Sequence, residues 1–214
     1  MVDRVQILDA VKAAMEAAPE RKFEESIEIS VNLRNIDMAQ PKNRIDETMI
    51  LPNGTGQPQK ICVLGKGDIT TQAKAVGVDL IIGPEEIERL GGEPREARRL
   101  ADEYRFFLAE TAAMPLVGRW LGTRLGPRGK MPTPVPPTMD VGPMVERLRK
   151  SVKFRTKDKT TFHVKVGSAG MDADALAENI DAVLHRVEAS LESGAMNIRS
   201  VYVKTSMGPA VRII

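Results

Sequence analysis

Lys60-Ile61-Cys62-Val63-Leu64 carries four apolar side chains in a row, so a strand built from it must bury both of its faces. Asp79-Leu80-Ile81-Ile82 repeats that pattern beyond a stretch, 69–76, that reads as helix. Pro84 and Pro94 then stand where helices over 85–90 and 95–104 begin, because proline suits a first helical turn whose N–H groups have no partner anyway. Arg105-Phe106-Phe107-Leu108-Ala109 reads as a third strand, with Thr111 as a helix N-cap after it. Doubly buried strands alternating with helices predict a parallel sheet in a Rossmann-like α/β unit. Gly126-Pro127-Arg128-Gly129-Lys130-Met131-Pro132-Thr133-Pro134-Val135-Pro136-Pro137 is too rich in proline and glycine for a helix or a central strand, and predicts an extended surface loop. A short helix at 141–150 closes the segment.

On both sides of this segment the period changes to two. Ile27, Ile29, Val31 and Leu33 face one way and Glu28, Ser30 and Asn32 the other, which is a half-buried strand. Upstream, Val5, Leu8, Val11 and Met15 fall at helical spacing over 3–18, stopped by Pro19. Residues 47–52 give a second short strand, closed by the turn Pro52-Asn53-Gly54-Thr55-Gly56. Downstream, Phe162, Val164 and Val166 alternate with Thr161, His163 and Lys165. Asp172 or Asp174 then caps a helix with the apolar stripe Leu176, Ile180, Val183, Leu184 and Val187, and strands follow at 198–205 and 211–214. The two ends share one style and the middle has another. The predicted fold is therefore an α+β split domain (antiparallel sheet with helices), residues 1–58 and 152–214, carrying an inserted α/β Rossmann-like domain, 59–151. The crossings near 56–60 and 150–154 are expected to act as a hinge.

Composition excludes several classes. No run approaches the roughly 20 apolar residues of a membrane helix, and the N-terminus has acidic residues where a signal peptide has an apolar core. The single cysteine, Cys62, cannot form an intrachain disulfide, which points to a reducing cytoplasm. Two histidines, His163 and His185, and that cysteine make no zinc-ligand cluster, and no GxSxG elbow occurs. Gly65-Lys66-Gly67-Asp68 follows a strand as a phosphate loop would, but Thr70 stands where GxGxxG needs its third glycine, so it reads as a tight turn. No enzymatic activity, metal or cofactor is expected.

Net charge is only +2, yet the cations are clustered. Residues 112–139 hold Arg119, Arg124, Arg128 and Lys130 and no acid; residues 147–165 hold eight cations against Asp158 alone. Such patches suit a polyanion partner. The predicted split domain nevertheless has 16 basic and 17 acidic residues, so binding there must rest on a local patch and on fit.

Four blocks carry a resemblance. Arg199-Ser200-Val201-Tyr202-Val203-Lys204-Thr205-Ser206-Met207-Gly208-Pro209-Ala210-Val211-Arg212-Ile213 resembles the C-terminal signature of the L-one family of large-subunit ribosomal stalk proteins. Gly122-Thr123-Arg124-Leu125-Gly126-Pro127-Arg128-Gly129-Lys130-Met131-Pro132-Thr133-Pro134 is similar to its glycine-proline stretch. Lys22-Phe23-Glu24-Glu25-Ser26-Ile27-Glu28 and Arg155-Thr156-Lys157-Asp158-Lys159-Thr160 also match, in the right order. Without a long N-terminal extension, the chain looks like the archaeal version. The resemblance implies a protein of the large ribosomal subunit in the cytoplasm, monomeric when free. Its split domain would bind large-subunit rRNA at the mobile stalk beside the tRNA exit site and help deacylated exit-site tRNA leave. It would also bind and repress its own mRNA. Carried over by position, the RNA-binding set is Lys22, Phe23, Glu28, Ser200, Thr205, Ser206, Met207, Gly208 and Pro209.

The chemistry of these residues suits folded RNA, which is read through 2′-hydroxyls, phosphates and base edges. Thr205 and Ser206 can exchange hydrogen bonds with a 2′-hydroxyl, Met207 offers an apolar surface, and Gly208 allows close approach. Phe23 can stack, although a place near a strand start also suits a core residue. Lys22 can reach a phosphate, and Glu28 can accept from a hydroxyl or a guanine amino group. His163 and Lys165 share a strand face and join the set. Arg119, Arg124, Arg128 and Lys130 are expected to make secondary contacts to rRNA or tRNA.

Overall fold

A computed structural model describes residues 3–137 and 139–214. In chain order it contains helix α1 (Arg4–Glu16), strands β1 (Ser26–Leu33), β2 (Asp46–Ile50) and β3 (Ile61–Leu64), helix α2 (Asp68–Ala75) and strand β4 (Leu80–Ile82). Helices α3 (Pro84–Gly92) and α4 (Pro94–Glu103), strand β5 (Phe106–Glu110), helices α5 (Met114–Trp120) and α6 (Gly122–Leu125) and strand β6 (Thr133–Val135) come next. Helix α7 (Val141–Arg149), strands β7 (Ser151–Arg155) and β8 (Thr161–Ser168), helix α8 (Ala173–Ser190) and strands β9 (Ile198–Thr205) and β10 (Val211–Arg212) complete it. The chain forms two compact units, one of the residues up to Pro58 with Lys150–Ile214, the other Gln59–Arg149. The second crossing precedes Ser151 because Ser151 already pairs with Ile50 of β2.

In the continuous unit a parallel sheet has the order β4-β3-β5-β6. All four residues of β3 are buried, and they serve two cores. Cys62 and Leu64 pack with Ile87 and Leu90 of α3, Ala101 of α4 and Val117 of α5. Ile61 and Val63 pack with Ile69 and Ala73 of α2 and Val145 of α7. The continuous apolar run thus has its physical cause in helices on both sides.

Two expectations need correction here. The proline-rich stretch is not wholly loop, since Thr133–Val135 pairs with β5; Pro134 is tolerated because β6 is the sheet edge. Thr111 is no N-cap, because it begins a short 3₁₀ turn and its hydroxyl donates to the Val135 carbonyl at 3.2 Å, fastening that edge strand.

In the split unit a four-stranded antiparallel sheet runs β10-β9-β1-β8. Ile27, Ile29, Val31 and Leu33 of β1 are buried with Val164 and Val166 of β8 and Val201 and Val203 of β9, against Ile7 and Val11 of α1 and Ile180, Val183 and Val187 of α8. The two-stranded sheet β2-β7 joins the same core, with Phe154 stacked on Phe162 at 5.9 Å between ring centroids. Asp172 stands at the N-cap of α8 but makes no capping side-chain hydrogen bond, and Asp174 lies in the first turn. Buried Asn179 ties α8 to the chain instead: its amide donates to the carbonyls of Gly54 and Val166, both at 2.8 Å, and its oxygen accepts from the Asn53 N–H at 3.0 Å.

Candidate nucleic-acid interface

Strand periodicity leaves the other face of β10-β9-β1-β8 polar, and the register brings specific side chains side by side. At one end Thr161, Asn32 and Ser200 stand in a row across β8, β1 and β9. The Thr161 hydroxyl donates to the Asn32 Oδ1 at 2.7 Å, and the Asn32 Nδ2 donates to the Ser200 Oγ at 2.9 Å. In the middle His163, Ser30, Tyr202 and Arg212 form a row across all four strands. Next, in the same register, Glu28 stands between Lys165 and Lys204, and a bulge between Ile27 and Glu28 ends this run of pairs. The face is half-buried to exposed except for Ser200. One carboxylate thus sits between two ammonium groups, with Arg212 nearby, leaving a weakly positive surface with one aromatic ring in it.

At the Glu28 end, a turn over 205–209 lies beside the segment leading into β1. The Ser26 N–H donates to the Ser206 Oγ at 3.1 Å, and the Met207 N–H donates to the Glu25 Oε1 at 2.9 Å. The Gly208 N–H donates to the Thr205 Oγ1 at 2.9 Å. This turn holds Met207 out in solvent, 60% exposed, and Phe23, two residues before Glu25, is 55% exposed. Lys22 and Pro209 are exposed too.

Several sequence expectations change on this geometry. Phe23 precedes β1 and is not a core residue. Thr205 is only 1% exposed, and its hydroxyl is engaged by the Gly208 N–H, so it shapes the turn from within. A Cβ on Gly208 would come within 2.3 Å of the Thr205 Oγ1, so this glycine is required by the packing of the turn itself. Ser200 is buried behind Asn32.

The four cations of the continuous unit are not equivalent. Lys130 donates to the carbonyls of Ala101 and Tyr104 at 2.6 and 2.8 Å, closing the C-terminal end of α4. Burial, reinforced by neighbouring Arg105, lowers its pKa. Arg128 pairs with Asp102 at 2.8 Å, and Arg119 lies 5.3 Å from the centre of the Trp120 ring. Arg124 is exposed.

Sequence reasoning passed over Ser30, Asn32, Tyr202, Lys204 and Arg212, although alternation with buried Val201 and Val203 puts Tyr202 on the polar face. It also passed over Glu25, which nothing in the sequence distinguishes from exposed Glu24.

The turn at Gly65 offers an anion little. The Lys66 N–H donates to the Glu110 Oε2 at 3.2 Å, and a carboxylate therefore stands where a phosphate would be held; the adjoining cavity is only about 60 Å³. Burial pushes the Cys62 thiol up, which keeps it protonated. Among the described residues no group of His, Cys, Asp or Glu is placed to hold a metal ion, and no helix is long and apolar enough to cross a membrane.

Residues 12–209 match the model of the Ribosomal protein L1p/L10e family. The chain is 73% identical over 214 residues to the large ribosomal subunit protein uL1 of Methanoculleus marisnigri, with 100% of both chains covered. It is 67% identical to the protein of that name from Methanocorpusculum labreanum and 65% identical to that from Methanoregula boonei, again over 100% of each chain. With an RNA-compatible polar sheet face and full-length likeness to archaeal relatives, the chain belongs to the Ribosomal protein L1p/L10e family, whose members are ribosomal proteins and not enzymes.

Proposed function

We propose that this protein is a structural component of the large ribosomal subunit and binds its rRNA through the split unit. The polar face of β10-β9-β1-β8 and the 205–209 turn are the primary surface. The observation that carries this reading is the placement of Tyr202 among hydrogen-bonding and cationic side chains, with exposed Met207 on the turn that follows β9 and exposed Phe23 on the segment that precedes β1. Aromatic rings supply sequence-tolerant stacking and the Met207 thioether an adaptable apolar contact, while Ser30, Asn32 and Glu28 supply shape-reading hydrogen bonds to ribose and base edges. Lys22, Lys165, Lys204 and Arg212 supply a few phosphate contacts, and His163 lies beside them.

The resemblance set out above extends the proposal to the mobile stalk beside the tRNA exit site, to release of deacylated tRNA, and to repression through the protein's own mRNA. One surface serves rRNA and mRNA, since both would present the same folded shape. The continuous unit, Gln59–Arg149, adds secondary rRNA or tRNA contacts through Arg119 and Arg124. Lys130 is best omitted from that set, because its ammonium already closes α4.

The test is a titration of the stalk rRNA fragment at several salt concentrations. Each neutralised phosphate contributes roughly 0.7–0.9 to the log–log slope, so four cations give a slope of about 3–4. Tyr202→Ala lowers affinity about tenfold or more, as loss of one stacked base does. A slope near 10, or unchanged affinity in Tyr202→Ala, would overturn the reading.

A further inference from the structure

Glu25 is a charged residue with only 6% of its surface exposed, in a segment otherwise open to solvent from Arg21 to Glu24. A carboxylate is costly to bury unless hydrogen bonds hold it. Its Oε1 accepts the Met207 N–H at 2.9 Å, while its own carbonyl accepts the Ala169 N–H at 2.8 Å. The next residue continues the clasp, with the Ser26 N–H donating to the Ser206 Oγ and that hydroxyl returning to the Ser26 carbonyl at 3.4 Å. On the far side Gly208 is bound to Thr205 and lies close to Ala18 beyond the end of α1.

Glu25, Ser26 and Ala18 therefore flank a turn that holds the Met207 side chain out in solvent, and Ala169 braces Glu25. A charge-assisted bond to a backbone N–H is about twice as strong as a neutral one. Of the bonds holding this turn, the one from Glu25 is the one made at Met207 itself. We propose that Glu25 is a positioning residue for RNA binding: its buried carboxylate fixes the Met207 backbone so that the thioether is presented in its binding geometry before RNA arrives. It touches no RNA. This rests on the RNA reading of the adjoining face and adds that the turn is pre-organised by a residue outside the contact surface.

Two variants separate positioning from general stability. Glu25→Gln keeps an oxygen acceptor of the same reach, whereas Glu25→Ala removes it. Rescue is expected: Glu25→Ala binds the stalk rRNA fragment about tenfold more weakly, and Glu25→Gln stays within about threefold of the parent. The Met207 amide should exchange with solvent faster in Glu25→Ala and at near-parent rate in Glu25→Gln. If Glu25 acts through Met207, its substitution costs far less in a Met207→Ala background, a non-additivity that general loosening of the fold does not give. Equal affinities of parent and Glu25→Ala, or full additivity with Met207→Ala, overturn the inference while leaving the RNA reading standing. Failure of the parent itself to bind the fragment overturns both.

Discussion

The two sheets of this protein are built on opposite plans. In the continuous unit, β3 sends Cys62 and Leu64 into one core and Ile61 and Val63 into another, so helices cover both faces and no sheet surface is left for a partner. In the split unit, β1 sends Ile27, Ile29, Val31 and Leu33 inward and keeps Glu28, Ser30 and Asn32 outward. The difference shows that the number of helical layers on a sheet decides where recognition can occur. A doubly covered sheet must work through loops and edges, and here its loop cations are largely engaged: Lys130 by carbonyls, Arg128 by Asp102. A singly covered sheet offers a rigid, pre-arranged face.

The largest effect that sharpens this contrast comes from removing the apolar groups at the end of the open face. Phe23→Ala combined with Met207→Ala should weaken binding to the stalk rRNA fragment by about 100-fold or more, measured by filter binding or fluorescence anisotropy. Thermal stability should hardly move, because both side chains are exposed. A large drop in Tm with little change in affinity would break the comparison.

Next comes Lys130→Met, which takes two charge-assisted hydrogen bonds from the end of α4. The cost should be about 1–3 kcal/mol of stability in the continuous unit, read as lower protection of amides in α4, with rRNA affinity within about twofold of the parent. A smaller change is expected from Lys204→Gln, which should lower the salt slope by roughly one phosphate's share and leave sequence preference alone. The smallest effect is electrostatic and local. His185 Nδ1 lies 2.9 Å from the Asp181 carbonyl oxygen, and this hydrogen bond, aided by the Asp181 carboxylate, raises the imidazole's pKa. A raised folded-state value means that the stabilisation is complete below the unfolded histidine value near 6.5 and fades as pH climbs through the higher folded value. Being exposed, it is heavily screened; His185→Gln should only flatten the pH dependence of Tm slightly in that window.

Much of the architecture could be read from period alone. Four apolar residues in a row at Ile61–Leu64 required cover on both sides, and strict alternation at Ile27–Leu33 required cover on one. Edge strand β6 escaped that reading because Pro134 argues against a ladder, and only its position at the margin reconciles the two. The candidate surface was legible in part. Phe23, Glu28, Met207 and Lys165 were identifiable, whereas the row His163, Ser30, Tyr202 and Arg212 exists only through cross-strand register, which no local pattern announces. Thr205 looked like a ligand-facing hydroxyl because sequence cannot say which way a turn residue points; burial assigns it to Gly208. Likewise, nothing in Glu24-Glu25 tells which carboxylate is buried.

Two variants titrated with the same rRNA fragment separate recognition by the open sheet face from recognition by the loop arginines. One removes apolar groups from the open face, Tyr202→Ala with Met207→Ala; the other neutralises Arg119, Arg124 and Arg128 together. If the open face holds the RNA, the first loses affinity about 100-fold or more and the second about threefold or less. The reverse order, with the arginine variant crippled and the face variant binding normally, would contradict recognition by the open face.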